Sequence, residues 1–381
     1  MKQIDRSFQL WLAKNAAREV PRQAKRKRLA AMKKRDYQRW LATNRAVQEE
    51  FAAAHQLAPP SSGELVPILL PDRICLRTNR DAVINAINEL EQTVFIKQHR
   101  AMLYFDSIEY LEPAATILLL ASIFRCRNLR QFRGRHSVIG NYPKDRSVLL
   151  QLAEMGFFKL LDVKVPDLDQ EGSGLDPTRP FFLRFQTMTR VVGHEAAAFC
   201  DLVTIGAFQM APQTKRQMVA ALKEAMGNAH EHAYSRPTGR EIPVMNNRWW
   251  IAGHLDRRRG EMMVILFDQG VGIPETLDLN LLDRLAAIVK LSSRPTDAEL
   301  IEAATELYRT STGDRGRGRG FRDMKRFIDS CDDGELRVLS NRGAYSYMKG
   351  APHTDNWNTS ICGTLIEWRV RHSTIADVGD A

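Results

Sequence analysis

The chain has 381 residues, 44% hydrophobic and 26% charged, an ordinary balance with enough length for two or three cored domains. The longest apolar run, Ala114 to Phe124, is too short to cross a bilayer, and the N-terminus lacks a signal-peptide core, so a cytoplasmic protein without membrane contact is expected. Five cysteines (Cys75, Cys126, Cys200, Cys331 and Cys362) lie scattered without Cys-x-x-Cys spacing, which favours reduced thiols over a zinc site.

The formal net charge of +10 is concentrated at the start of the chain. Residues 1–45 hold 14 Lys and Arg against 3 Asp and Glu, so the remainder is close to neutral. Residues 1–58 read as a basic helical arm, with one cluster at Lys25, Arg26, Lys27 and Arg28 and another at Lys33, Lys34 and Arg35. Such clusters can neutralise the phosphates of DNA or RNA, and Tyr37 and Trp40 could stack on bases. A solvated arm, or one that packs on an acidic partner, is the competing reading. Ala58-Pro59-Pro60-Ser-Ser-Gly63 reads as a linker.

Residues 64–164 alternate strand-like and helix-like patterns, which predicts an α/β domain. Strands are expected at Ile68–Leu70, Arg73–Leu76, Ala101–Phe105 and Val138–Gly140. Helices are expected at Arg80–Gln92, at the apolar Pro113–Arg125 and at Asp145–Met155. Val165 to Pro180, rich in Asp, Gly and Pro, reads as a second linker, and residues 181–373 as a third region that opens on a strand at Phe181–Met188.

Three segments of that third region carry chemistry. Pro212 to Tyr234 reads as a helix with an apolar stripe of Met218, Leu222, Ala225 and Ala229. Glu224 and Asn228, four residues apart, share another face. An amide oxygen there can hold a hard cation such as Mg2+, and the carboxylate can take a proton from an attacking water or hydroxyl. Arg248–Leu255 and Glu261–Phe267 read as hairpin strands; the second is apolar throughout and ends on Asp268, followed by Gly270 and Gly272. A carboxylate at a strand end can accept from an exocyclic amine such as adenine N6, and the glycines permit close backbone approach. The third segment alternates Arg315, Gly316, Arg317, Gly318, Arg319 and Gly320 before a helix at Phe321–Ile328, an arrangement that can aim backbone N–H groups and arginines at phosphate.

In this order, the segments resemble the GHKL ATPase superfamily, which includes the ATP-binding domains of histidine kinases, anti-sigma-factor kinases, type II topoisomerases, heat-shock chaperones and mismatch-repair proteins. The resemblance covers about residues 181–371 and implies ATP and Mg2+ as cofactors. It implies that Asn228 binds Mg2+, Glu224 acts as general base, Asp268 with Gly270 and Gly272 reads adenine, and Gly316, Gly318 and Gly320 form the phosphate lid. Cys362-Gly363-Thr364 resembles the final Gly-Thr strand, which would place Thr364 near the adenine. Between Ile273 and Gly316 this chain has a long segment with helices expected at Leu277–Val289 and Asp297–Tyr308, an unusual lid that could need a partner to close. Leu103 to Leu111 and Leu149 to Leu161 resemble a STAS domain, the fold of anti-sigma-factor antagonists, but Leu111-Glu-Pro113-Ala-Ala115 stands where those antagonists carry a phosphorylatable Ser.

The fold class expected is thus α/β multi-domain: a basic arm, a STAS-like α/β domain that could dock a protein, and an α/β sandwich of the GHKL type. The function expected is a nucleotide-driven ATPase switch that could act on nucleic acid through the arm. The alternatives are an anti-sigma-type serine/threonine kinase and a non-catalytic ATP-gated binding module, for instance in bacterial defence. An oligomer would suit any of them.

Overall fold

The computed structural model describes residues 63–165, 181–190, 210–277, 295–310 and 320–371, apart from positions 133, 237, 239, 240, 246, 257 and 258, and adds 196, 199 and 201. The expected arm at 1–58, all but Val165 of the linker at 165–180 and most of the expected helix over 277–289 lie outside the described residues. Among the described residues no helix is long and apolar enough to cross a membrane.

The protein is a mixed α/β structure, and Pro60–Ala381 form one compact unit. It begins with β1 (Leu65–Leu69), β2 (Arg73–Ile74), α1 (Arg80–Glu91), β3 (Arg100–Tyr104) and β4 (Tyr110–Leu111). It continues through α2 (Pro113–Leu129), β5 (Gln131–Phe132), β6 (Arg135–His136), β7 (Val138–Gly140), α3 (Arg146–Glu154) and α4 (Phe157–Leu160). Three of these strands make a parallel sheet in the order β1-β3-β7. Helix α1 forms because Val83, Ile84, Ile87 and Leu90 recur at helical spacing, and it runs into a π-helical turn at Gln92–Ile96. Helix α2 starts with Pro113 in its first turn, where the missing N–H costs nothing, and is buried almost all round. The Asp145 side chain caps α3 by accepting from the Ser147 and Val148 N–H groups.

The second region contains β8 (Phe181–Met188), α5 (Pro212–Glu231), β9 (Trp249–Asp256), β10 (Glu261–Asp268), α6 (Ile273–Thr276), α7 (Asp297–Thr310) and α8 (Gly320–Asp329). It closes with β11 (Asp333–Ser340), β12 (Gly343–Met348), β13 (Ala351–Asn356) and β14 (Thr364–Arg371). Its seven strands form an antiparallel sheet in the order β13-β12-β11-β14-β10-β9-β8. All eight residues of β10 are buried, because both faces of the sheet are covered. On one face Met262, Val264 and Leu266 join a core with Met218 and Leu222 of α5, Ile301 of α7 and Met324 and Phe327 of α8. On the other face Trp250 stacks edge-on against Phe124 of α2, with ring centroids 5.1 Å apart. Helix α2 therefore lies between the two sheets, with α1 packed beside it.

That second face also carries a buried ionic network. Glu367 of β14 is fully buried, and its Oε1 accepts from Arg77 Nη2 at 2.9 Å. Arg77 also donates to Glu335 at 2.7 Å and has its Nε 3.5 Å from Glu112, while Arg337 and Arg369 stand 3.9 and 3.3 Å from Glu367. Burial disfavours the Glu367 charge, but Arg77, Arg337 and Arg369 together outweigh it and hold this carboxyl below the usual range. Glu112 is shifted the other way, up, by its own burial and then by the Glu367 charge.

Most expected elements appear within a few residues of their expected ends. The strand read at Ile68–Leu70 instead spans Leu65–Leu69, where it pairs with β3, and Arg73–Leu76 contracts to two residues. The hairpin of β12 and β13 was not expected. Its outer strand is an exposed sheet edge with Pro352, His353 and Asp355, so it lacks the apolar alternation by which a strand is read.

Candidate nucleotide site

The site builds on the helix face of the seven-stranded sheet, at the end where β10 and β14 meet. Helix α5 turns Met218, Ala221, Leu222, Ala225, Met226 and Ala229 into the core, which leaves Glu224 and Asn228 half-buried on its flank. The first residue of α8, Gly320, sits against that pair. A Cβ added there would meet Glu224 Oε2 at 3.1 Å and Asn228 Nδ2 at 3.4 Å. The last expected lid glycine and the Glu–Asn pair are thus brought together, with the N-terminus of a ten-residue helix beside them. Arg315, Gly316, Arg317, Gly318 and Arg319 lie outside the described residues, as do Lys25, Arg26, Lys27, Arg28, Lys33, Lys34 and Arg35.

The Glu224 carboxyl is pushed above the usual range, first by partial burial and then by the neighbouring charges of Asp323 and Glu231. A carboxylate shifted this way holds a proton more tightly, which suits a general base. Among the described residues no group of three His, Cys, Asp or Glu side chains could hold a metal by itself.

Asp268 ends β10, buried, with its Oδ1 accepting from the Gly270 N–H at 2.9 Å, an Asp-x-Gly turn. In register, Asp268 faces Thr364 of β14, and Thr364 faces Ser340 of β11. Residues directly opposite in a ladder share a face, so the three polar side chains form a row across three strands. The Thr364 and Ser340 hydroxyls are 3.1 Å apart, and Ser340 Oγ also accepts from the Ile273 N–H at 2.8 Å.

The end of α5 holds the loop after Asp268. The Val271 N–H donates to the Ala233 carbonyl at 2.8 Å. The Tyr234 hydroxyl donates to the Arg248 carbonyl at 2.5 Å and accepts from the Gln269 N–H at 3.1 Å. Although Tyr234 is half-buried as a residue, enclosure of its hydroxyl raises the pKa, and the Asp268 charge raises it further. Gly270 is required for this closeness, because a Cβ there would be driven into the Ala233 carbonyl. Gly270→Ala is expected to lower stability by about 1–3 kcal/mol, as overpacking does. Urea unfolding at unchanged m value checks this; an unaltered midpoint would contradict the packing.

Asn341 completes the support, with Nδ2 donating to the Val271 carbonyl at 2.9 Å beside Gly272, whose φ is +86°. Sequence reasoning missed Tyr234, Ser340 and Asn341 as site residues. Tyr234 lies at the end of the motif-bearing helix and was within reach of it; Ser340 and Asn341 carry no local signal and become meaningful only once β11 pairs with β14.

The residues present fit a nucleotide: a buried strand-end carboxylate, glycines at points of close approach, and a half-buried Glu–Asn pair under a helix N-terminus. The chain matches no protein-family model, and no curated protein matches it.

Proposed function

We propose that residues 181–371 are an ATP- and Mg2+-binding domain of the GHKL type and that the protein hydrolyses ATP. The observation that carries this reading is the joint placement of Asp268 opposite Thr364 at one side and Gly320 against Glu224 and Asn228 at the other. In this reading Asp268 accepts a hydrogen bond from the adenine amine, with Thr364 and Ser340 beside it. Asn228 would hold Mg2+ through its amide oxygen, and the bound ion would supply neutralisation of phosphate charge. The N–H groups that open α8 hold the terminal phosphate, to which aligned backbone donors are suited. Glu224 takes the proton of the attacking water, so positioning and a proton acceptor meet on one helix face. Residues 64–164 are read as the STAS-like layer packed behind the sheet.

The test is calorimetric titration of the full chain with ATP and Mg2+, followed by phosphate release on the same sample. Saturable binding with release is expected; no binding would overturn the proposal, and binding without release would remove the hydrolase part.

A further inference from the structure

The loops that would hold the adenine are gripped from behind by a residue of the other α/β segment. Arg80 opens α1 and is 5% exposed. Its Nη1 donates to the Thr359 carbonyl at 2.9 Å and to the Thr359 hydroxyl at 2.7 Å, and its Nη2 donates to the Asn341 carbonyl at 3.4 Å. The guanidinium lies over the Trp357 ring, 4.4 Å from its centroid. The nearest carboxylate, Asp81, is 3.8 Å away and largely exposed, so the charge is directed mainly at carbonyls and an aromatic face. Burial lowers the pKa of this arginine to about 10, with Asp81 opposing and Arg337 adding to the shift.

Asn341 is where that grip reaches the site. Its backbone is left-handed, with φ of +51°, a conformation asparagine tolerates better than most residues. From there its N–H donates to the Gly363 carbonyl at 3.1 Å, its carbonyl accepts from the Ile361 N–H at 3.0 Å, and its side chain holds the Val271 carbonyl. One residue thus ties together the loop after Asp268 and the loop before Thr364.

We infer that Arg80 and Asn341 are positioning residues for base recognition: Arg80, from the 64–164 segment, fixes Asn341, which sets the spacing of the two loops between which adenine would lie. This inference rests on the nucleotide reading above. By reciprocity, a nucleotide seated between those loops tightens the packing of α1 on the sheet.

The experiment uses the full chain and its Arg80→Met and Arg80→Lys variants, with two readouts. The first is amide hydrogen exchange without nucleotide. Arg80→Met is expected to speed exchange at Val271, Asn341 and Ile361 by roughly tenfold, the scale of one lost charge-assisted hydrogen bond, with Val264 and Ile265 of β10 unchanged. Arg80→Lys, which keeps the charge but not the fork, should fall between. Unchanged exchange at the three amides, or an equal rise in β10, would overturn the inference. The second readout is affinity for ATP, GTP and tripolyphosphate, each with Mg2+. Arg80→Met is expected to lose ATP affinity by about tenfold on the same scale and to lose preference for ATP over GTP, with tripolyphosphate binding intact. Equal losses for all three would make Arg80 a general structural residue and overturn its role in base recognition. If the wild type binds no ATP, the nucleotide reading fails and base recognition with it, while the exchange result still decides whether Arg80 holds the loops.

Discussion

Replacing Glu224 by Gln is expected to lower phosphate release by about 10²–10⁴-fold, the range for loss of a general base, while ATP binding persists. The glutamine keeps the size and hydrogen-bonding reach of the side chain, so Gly320 and Asn228 retain their neighbour. What is lost is a group that can take a proton from water. Phosphate release measured at saturating ATP checks the prediction, and a wild-type rate would remove Glu224 from the chemistry. The pH dependence has a definite sign. Glu224 must be ionised to act, and burial with the Asp323 and Glu231 charges raises its pKa, so turnover should climb with pH through a midpoint above the usual carboxylate range. Asp323→Asn should move that midpoint down. A midpoint unmoved by this change would mean that the Asp323 charge has no hold on Glu224.

Removal of the Glu367 carboxylate should have the largest effect on stability. Glu367→Gln leaves Arg77, Arg337 and Arg369 converging on a neutral amide; Glu335 and Glu112 still stand by Arg77 and Glu261 by Arg369, but Arg337 is almost wholly buried. Breaking a buried ionic cluster by removing one partner costs about 3–5 kcal/mol. Urea unfolding followed by tryptophan fluorescence would report it, since Trp368 is one residue away and buried. A loss within a few tenths of a kcal/mol would mean that water reaches the arginines. Because the folded Glu367 carboxyl is held below its unfolded value of about 4.3, its stabilisation is complete above that pH and is lost as pH falls through the folded value. Glu112 acts in the opposite direction: its raised pKa makes ionisation cost stability as pH rises. The Glu367 contribution is therefore read as the difference between wild type and Glu367→Gln, which should shrink in acid.

Taken together, these expectations describe a sheet with separate tasks on its two faces. The helix face assembles Glu224, Asn228, Asp268 and Thr364, while the opposite face joins the sheet to α2 through Trp250 and to the segment before α1 through Glu367. Arg80 reaches from the second set of contacts to the loops of the first. Any ligand that orders those loops would act on the packing between the two α/β segments.

The amino-acid sequence by itself determined the features that act over a few residues. The apolar stripe of α5 placed Glu224 and Asn228 on one flank, and the continuous apolar run of β10 implied a central strand. Pro113 marked the opening of α2 and Asp145 that of α3, because caps and first turns are set by neighbouring atoms. Even Asp268 was legible as the end of a strand. The tertiary structure alone decided the rest, because those partners are far apart in the chain. Asp268 meets Thr364 only through the β10–β14 register, and Ser340 and Asn341 acquire a role only when β11 lies on the other side of β14. The edge strand β13 forms through its ladder with β12 rather than through its own exposed residues. Nothing near Arg77 and Arg80 in the chain signals their partners Glu367 and Asn341, which are 290 and 261 residues away. Periodicity and caps are written into local sequence, whereas strand register and the pairing of buried charges are settled by which surfaces must leave water together.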